Sequence, residues 1–130
     1  RRAWRRAGPA ARGFVSRGTG IDKAHALDCL AKAVYYEAAS ESEGGQRAVA
    51  QVVLNRVSHP AYPRTVCGVV YQGSQRRTGC QFTFTCDGSL GRKPSATHWA
   101  RALSVARRAL SGEVYAPVGL ATHYHTTWPN

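Results

Sequence analysis

The sequence predicts a single α+β domain in which helices dominate. Three observations predict it: three long stretches with apolar residues at helical spacing, one short stretch at 80–86 that alternates polar and aromatic residues, and short polar connections between them. The chain has 130 residues, the size of one domain, and a chain of that length buries roughly two-thirds of its unfolded surface. Its 43% hydrophobic, 9% aromatic and 19% charged content excludes a fully disordered, collagen-like or coiled-coil chain. No apolar run approaches the roughly 18 residues of a membrane span, and no cleavable export signal is visible. Methionine is absent, which predicts a processed form or a fragment from which a leader has been removed.

Taken in order, the chain opens on a basic arm, residues 1–20, where Arg1, Arg2, Arg5, Arg6, Arg12 and Arg17 sit among Ala, Gly and Pro with no acid and no apolar period. The domain proper is 21–130. A first helix is predicted over 24–39, with Leu27, Leu30, Val34 and Glu37 at i, i+3, i+7 and i+10. Ser42 caps a second helix carrying Val49, Val52, Val53 and Val57 on one face, and Ser58-His59-Pro60 ends it. A short apolar segment at 65–71 and a polar loop at 72–79 lead to the strand at 80–86, which Asp87-Gly88 closes as a turn. Ser95 caps a third helix bearing Trp99, Leu103, Ala106 and Leu110, and Gly112 stops it. The tail from Val114 to Asn130 reads as an extended return across the domain.

The 18 Lys+Arg against 7 Asp+Glu give a net charge of +11, which draws the chain to polyanions: nucleic acid, anionic lipid or acidic envelope polymers. Four cysteines, Cys29, Cys67, Cys80 and Cys86, permit two disulfides in an oxidising compartment, the other reading being four buried thiols in a cytosolic protein. No Cys-x-x-Cys pair supports zinc. An extended 80–86 strand would hold Cys80 and Cys86 about 20 Å apart, too far to bond. Two pairings then remain, Cys29 with Cys86 and Cys67 with Cys80, which we favour, or Cys29 with Cys80 and Cys67 with Cys86.

Glu37 is the most informative residue, because a carboxylate on an apolar helix stripe loses hydration. That raises its pKa toward the range a general acid needs at neutral pH. The bland reading is that its side chain turns to water and pairs with a Lys or Arg. On the strand, Gln81, Thr83 and Thr85 share a polar face suited to a sugar groove. Asp87 reads first as a turn residue and second as a partner carboxylate. His123 and His125 would point the same way in an extended segment, but two ligands make no metal site, and neither metal nor cofactor is expected. Trp99 is most simply core, while Trp128 is available to stack on a sugar.

The stretches Leu30 to Ala38, Glu43 to Val57 and Pro63 to Tyr71, then Gln81-Phe82-Thr83 with Asp87-Gly88, and finally Ala121-Thr122-His123-Tyr124-His125, resemble in the same order the bacterial cell wall hydrolases typified by the spore cortex-lytic enzyme. Gly44-Gly45 and the end after Trp128 depart from the usual pattern. The resemblance implies a lysozyme-like, lytic transglycosylase-like domain acting on peptidoglycan glycan strands at the MurNAc-GlcNAc β-1,4 bond. It places the catalytic acid on Glu37 and points to Gln81, Thr83, Asp87 and Tyr124 for substrate binding. It also implies a bacterial envelope, periplasmic or secreted location. In the family one carboxyl acts as acid and then base while the sugar's 6-hydroxyl attacks, leaving a 1,6-anhydro end. The alternatives are a hydrolytic muramidase using Asp87 as second carboxylate, and a non-catalytic module binding a polyanion through residues 1–20.

Overall fold

The computed structural model describes residues 10–15, 18–76 and 79–124. Four α-helices account for most of the order among them: α1, Gly20–Ala38; α2, Glu43–Val57; α3, Val66–Val70; and α4, Ala96–Leu110. Three 3₁₀ turns, Thr83–Thr85, Ser89–Gly91 and Ala116–Val118, shape the connections. No helix among the described residues is long and apolar enough to cross a membrane.

Helix α1 starts four residues earlier than the apolar period suggests. Thr19 and Asp22 form a capping box, the Asp22 N–H donating to Thr19 Oγ1 at 3.1 Å and the Thr19 N–H donating to Asp22 Oδ2 at 2.9 Å. Ile21 in this first turn is exposed, so the turn carries no apolar signature. Helix α2 begins where Ser42 was expected to cap it, with Ser42 Oγ accepting from the Gly45 N–H. At α4 the expected capping residue sits at the right position, but its hydroxyl makes no cap bond. Its backbone N–H donates instead to the Tyr35 hydroxyl at 2.9 Å.

Helix α2 is central and is buried on nearly every side. Val49 and Val53 join Leu30 and Val34 of α1, Val69 and Val70 of α3, and Ala102 and Ala106 of α4 in the main core. The opposite face, through Ala48 and Val52, packs on Tyr115 and Val118 of the tail. Between these faces run the polar residues Gln46, Gln51, Asn55 and Arg56, all buried, and the side chains of the last three fasten the tail to the helix. Gln51 Oε1 accepts from the Tyr115 N–H at 2.9 Å, and Gln51 Nε2 donates to Asn55 Oδ1 at 2.9 Å. Asn55 Nδ2 donates to the carbonyls of Gly119 and Ala121, each at 2.9 Å, and Arg56 Nε donates to the Thr122 carbonyl at 2.7 Å. The Arg56 guanidinium also lies over the rings of Tyr62 and Phe82. The tail therefore returns across the domain with its backbone paired to side chains, which answers how an irregular segment is accommodated against a core.

The expected strand is not formed, and the described residues contain none. Residues 80–86 coil instead: the Thr85 N–H and hydroxyl both donate to the Phe82 carbonyl, and the Cys86 N–H donates to the Thr83 carbonyl. No neighbouring strand is available to complete a ladder, so the backbone groups bond locally. What survives of the alternation is its sidedness, with Phe82 and Phe84 buried and Gln81 and Thr83 exposed. Coiling also overturns both expected cysteine pairings. With the segment turned back, the α-carbons of Cys80 and Cys86 lie 6.7 Å apart and these two cysteines are bonded, while Cys29 on α1 bonds Cys67 on α3.

The arm cannot be followed throughout, since residues 1–9 and 16–17 lie outside the described residues, as do His125 and Trp128. Its described part lies on the domain. Phe14 packs on the core, and Gly13 comes so near the end of α4 that a β-carbon there would meet the Gly112 carbonyl oxygen at 2.8 Å.

Replacing Asn55 by Ala strands two carbonyls of the tail and the amide of Gln51, so a loss of about 3 kcal/mol and a fall in Tm on the order of 10 °C are expected in a thermal melt. The two disulfides differ in the chain they close, with sequence separations of 38 and 6. In the loop-entropy picture, the Cys29→Ser/Cys67→Ser double variant loses about 4 kcal/mol and the Cys80→Ser/Cys86→Ser variant about 2 kcal/mol. Equal melting points for the two would contradict that ordering.

Candidate active site

The last turn of α1 carries Tyr35, Tyr36 and Glu37 in succession, and each faces a different neighbour. The Tyr35 ring meets Tyr36 and Trp99 edge-on, at 4.9 and 6.0 Å between centroids. The Tyr36 ring stacks on Phe84 at 5.0 Å, and its hydroxyl donates to the Arg92 carbonyl at 3.3 Å. Together with the Ser95 N–H on the Tyr35 hydroxyl, these contacts clamp the 82–95 segment onto the end of α1. The helix end is itself tied to α2, because Gln46 Nε2 donates to the Ala38 carbonyl at 3.1 Å. Glu37 thus sits between two anchored elements.

Glu37 does not lie in the core with Leu30 and Val34, as the helical stripe suggested. Those two are fully buried, whereas Glu37 is exposed. The stripe outruns its cover: α3 is bonded to α1 two turns earlier at Cys29, and beside Glu37 the wall is the 82–92 loop. The carboxyl nevertheless loses part of its hydration to the surrounding protein. That desolvation, and secondly the negative charge of Asp87, push its pKa above the ordinary glutamate value. Exposure of the residue and desolvation of the carboxyl describe one place, a surface side chain whose carboxyl is partly covered by protein. Its carboxylate makes no hydrogen bond or ion pair with any described residue. By contrast, Asp28 pairs with Lys32 at 2.8 Å and Glu43 with Arg108 at 3.2 Å.

Asp87 is fully exposed and accepts from the Ser89 N–H at 2.9 Å, in a turn that Gly88 completes at φ 90°. Its hydrogen bonds with Ser89, helped by the Arg92 charge, hold its carboxyl below the ordinary aspartate range. Two carboxyls at one site therefore have pKa values displaced in opposite directions. Gln81 and Thr83 are exposed on the disulfide-closed loop that precedes Asp87, and none of their described hydrogen bonds reaches Glu37. Tyr124 lies near Glu41, just past the end of α1, and Tyr115. Desolvation first, then the Glu41 charge, raise its hydroxyl above the ordinary tyrosine value. Among the described residues no group of three or more His, Cys, Asp or Glu is placed to hold a metal ion.

One cavity lies not at Glu37 but near the opposite end of α1. The sequence reading also missed Gln46, Gln51, Asn55 and Arg56, which place the helix carrying Glu37 and the tail carrying Tyr124. A usable sign was present, since four large polar residues interrupt the valines of a helix whose remaining faces are apolar or small.

The sequence profile described as Cell Wall Hydrolase matches residues 40–130. The chain belongs to the cell wall hydrolase family. It is similar to the spore cortex-lytic enzyme of Halalkalibacterium halodurans, at 37% identity over 98 residues, which is 75% of this chain and 26% of that protein. It is also similar to that of Bacillus cereus, at 32% over 112 residues, 84% of this chain and 39% of that protein. The Bacillus subtilis spore cortex-lytic enzyme is 40% identical over 68 residues, 52% of this chain and 20% of that protein. This cell wall hydrolase chain thus spans between a fifth and two-fifths of the length of these relatives. Glu37 precedes the span of the family profile, but a similarity that covers 84% of the chain necessarily takes in position 37. No solved structure matches the chain significantly.

Because the folded protein holds the Glu37 proton more tightly than the unfolded chain, the stability from this group is complete below about pH 4.5 and falls as pH rises through the raised value. Glu37→Gln removes that penalty, so the variant is expected to be at least as stable as the parent at pH 7, with no such difference at pH 4. Asp87→Asn removes the repulsion and leaves the desolvation. In an NMR titration the Glu37 carboxyl then titrates at lower pH than in the parent but still above the ordinary value.

Proposed function

We propose that the chain cleaves the glycan strands of peptidoglycan at the MurNAc-GlcNAc β-1,4 bond, with Glu37 as the proton donor, in a lysozyme-like setting. One observation carries the reading: in a chain of 18 Lys+Arg and 7 Asp+Glu, Glu37 is solvent-accessible, has a raised pKa and has no cationic partner among the described residues. A surface glutamate on so basic a protein ordinarily finds a Lys or Arg. One left unpaired and partly desolvated has its pKa raised, which shifts it toward the protonated form that a general acid needs. Family membership and the names of the relatives supply the substrate class.

The one-carboxyl route is lytic transglycosylation. Glu37 gives its proton to the bridging oxygen as the bond from C1 of MurNAc to that oxygen breaks, releasing the GlcNAc 4-hydroxyl. The MurNAc 6-hydroxyl then attacks C1, its proton passes to the Glu37 carboxylate, and a 1,6-anhydro ring closes with no water consumed. Gln81 and Thr83, exposed beside Asp87, are suited to hydrogen-bond sugar hydroxyls, and Tyr124 would serve a more distant part of the strand. An envelope or secreted location suits this substrate and the two disulfides.

A second reading has its own support, because Glu37 and Asp87 are shifted in opposite directions. That is the division of labour in the lysozyme example, one carboxyl protonated and one ionised. Against it, Asp87 faces its own turn and accepts from Ser89. Incubation with purified peptidoglycan decides between them by product mass. We expect muropeptides ending in anhydro-muramic acid, lost by at least a hundredfold in Glu37→Gln and retained within tenfold in Asp87→Asn. Reducing ends, with Asp87→Asn as inactive as Glu37→Gln, would establish the hydrolytic route. Failure of the folded parent protein to release any product would leave the polyanion-binding module.

A further inference from the structure

A cavity of about 1180 Å³ has no part in the site above. It lies between the first turns of α1, the second half of α2, the start of α3 and the described part of the arm. His25 lines it, and from position 25 to position 37 the helix rises about 18 Å at ~1.5 Å per residue. Its volume is at the upper end of what small-molecule and peptide sites provide.

The charge of the lining is one-sided. Arg12 and Arg64 face it with His25 and His59, and the single acid among the lining residues, Asp22, is occupied in capping α1. Gln51 and Asn55 also line it, but their amides are committed to each other and to the tail. Asp28, Glu37, Glu41, Glu43, Asp87 and Glu113, six of the seven acids, are absent from the lining. Between the cations the wall is apolar, through Phe14, Val15, Leu54, Val66 and Leu120, and of these Val15 and Leu120 are exposed, at 67% and 48%. Guanidinium groups set among aliphatic surface suit a short peptide that has free carboxylates and small apolar side chains. A phosphate polymer would use the cations and leave the apolar wall without a partner.

We infer that this cavity binds the carboxylate-bearing peptide stem of peptidoglycan, with Arg12 and Arg64 receiving the carboxylates and the aliphatic wall receiving alanine methyl groups. The identity of the stem rests on the proposed glycan-cleaving function. The cavity itself and its preference for an acidic peptide do not. Gripping a stem some 18 Å from the proton donor would align the strand that carries it along α1 toward Glu37.

The test is a calorimetric titration of the full chain with the soluble stem tetrapeptide L-Ala-γ-D-Glu-L-Lys-D-Ala, a reading that needs no catalysis. Arg12→Ser and Arg64→Ser, both at exposed residues and checked by thermal melt, should each weaken binding at least tenfold. Arg64→Lys should recover part of the loss, and amidation of the peptide carboxylates should abolish binding. Equal affinity for the amidated peptide, no effect of the two arginine variants, or no binding at all would overturn the inference. So would stronger, arginine-dependent binding of a polyphosphate, which would assign the cavity to phosphate polymers. In parallel, product release from intact peptidoglycan should exceed that from stem-free glycan strands several-fold, with the excess lost in Arg64→Ser. Failure to release product from either substrate would remove the proposed function and leave the titration to judge the cavity by itself.

Discussion

A row of side-chain hydrogen bonds along α2 is the constraint on which the rest of the molecule depends. Gln51, Asn55 and Arg56 are buried beside valines, where an unpaired amide or guanidinium would cost several kcal/mol, and the hydrogen bonds they make form only if the tail from Tyr115 to Thr122 lies where it does, with Arg56 Nη1 left without a partner. The carbonyls of Gly119, Ala121 and Thr122 in turn are held by these side chains. Each side therefore enforces the other, and a helix that could have been amphipathic becomes the interior axis of the domain. Gln46, a turn earlier on the same helix, reaches the carbonyl at the end of α1. The row thus extends to the turn that presents Glu37.

The segment beside the end of α1 is held by aromatic packing rather than by sheet structure. Tyr36 on Phe84, Tyr35 against Trp99, and the hydroxyl contacts to Arg92 and Ser95 fix one edge of the 82–95 segment. The Cys80–Cys86 bond closes the loop that precedes Asp87. A loop so short, with two phenylalanines turned inward, has little freedom to carry Asp87 away from Glu37. The coupling of the two carboxyls is then a property of the packed loop and not of a chance approach of surface side chains.

Much of the helical frame was legible in the sequence, because Leu30, Val34, Val49, Val53 and Ala106 recur at helical spacing and each has a facing element to pack on. Ser42 marked the start of α2 through its side-chain chemistry. The 80–86 segment was misread because alternation reports which side chains face inward, and a coiled loop with buried Phe82 and Phe84 gives the same pattern as a strand. The error carried over to the cysteines, since the exclusion of a Cys80–Cys86 bond assumed an extended chain. The apolar stripe predicts Glu37 among the core residues, whereas its side chain is exposed with its carboxyl partly desolvated. Tyr124 could not be placed at all, because its position follows from tertiary bonds of Asn55 and Arg56 that no local pattern encodes.

The charge distribution gives these placements a common sense. A net charge of +11 favours ionised carboxylates throughout the molecule, so a proton stays on Glu37 only where local effects outweigh that field. Exposed arginines act weakly beyond the roughly 8 Å over which physiological salt screens them. Withholding near cations from Glu37 is therefore enough to let desolvation and Asp87 prevail. Arg12 and Arg64, which are in no ion pair with a described residue, face the cavity near the other end of α1, where they are placed to attract anions away from Glu37. Helix α1 thus separates the carboxyl with the raised pKa from the two arginines at the cavity.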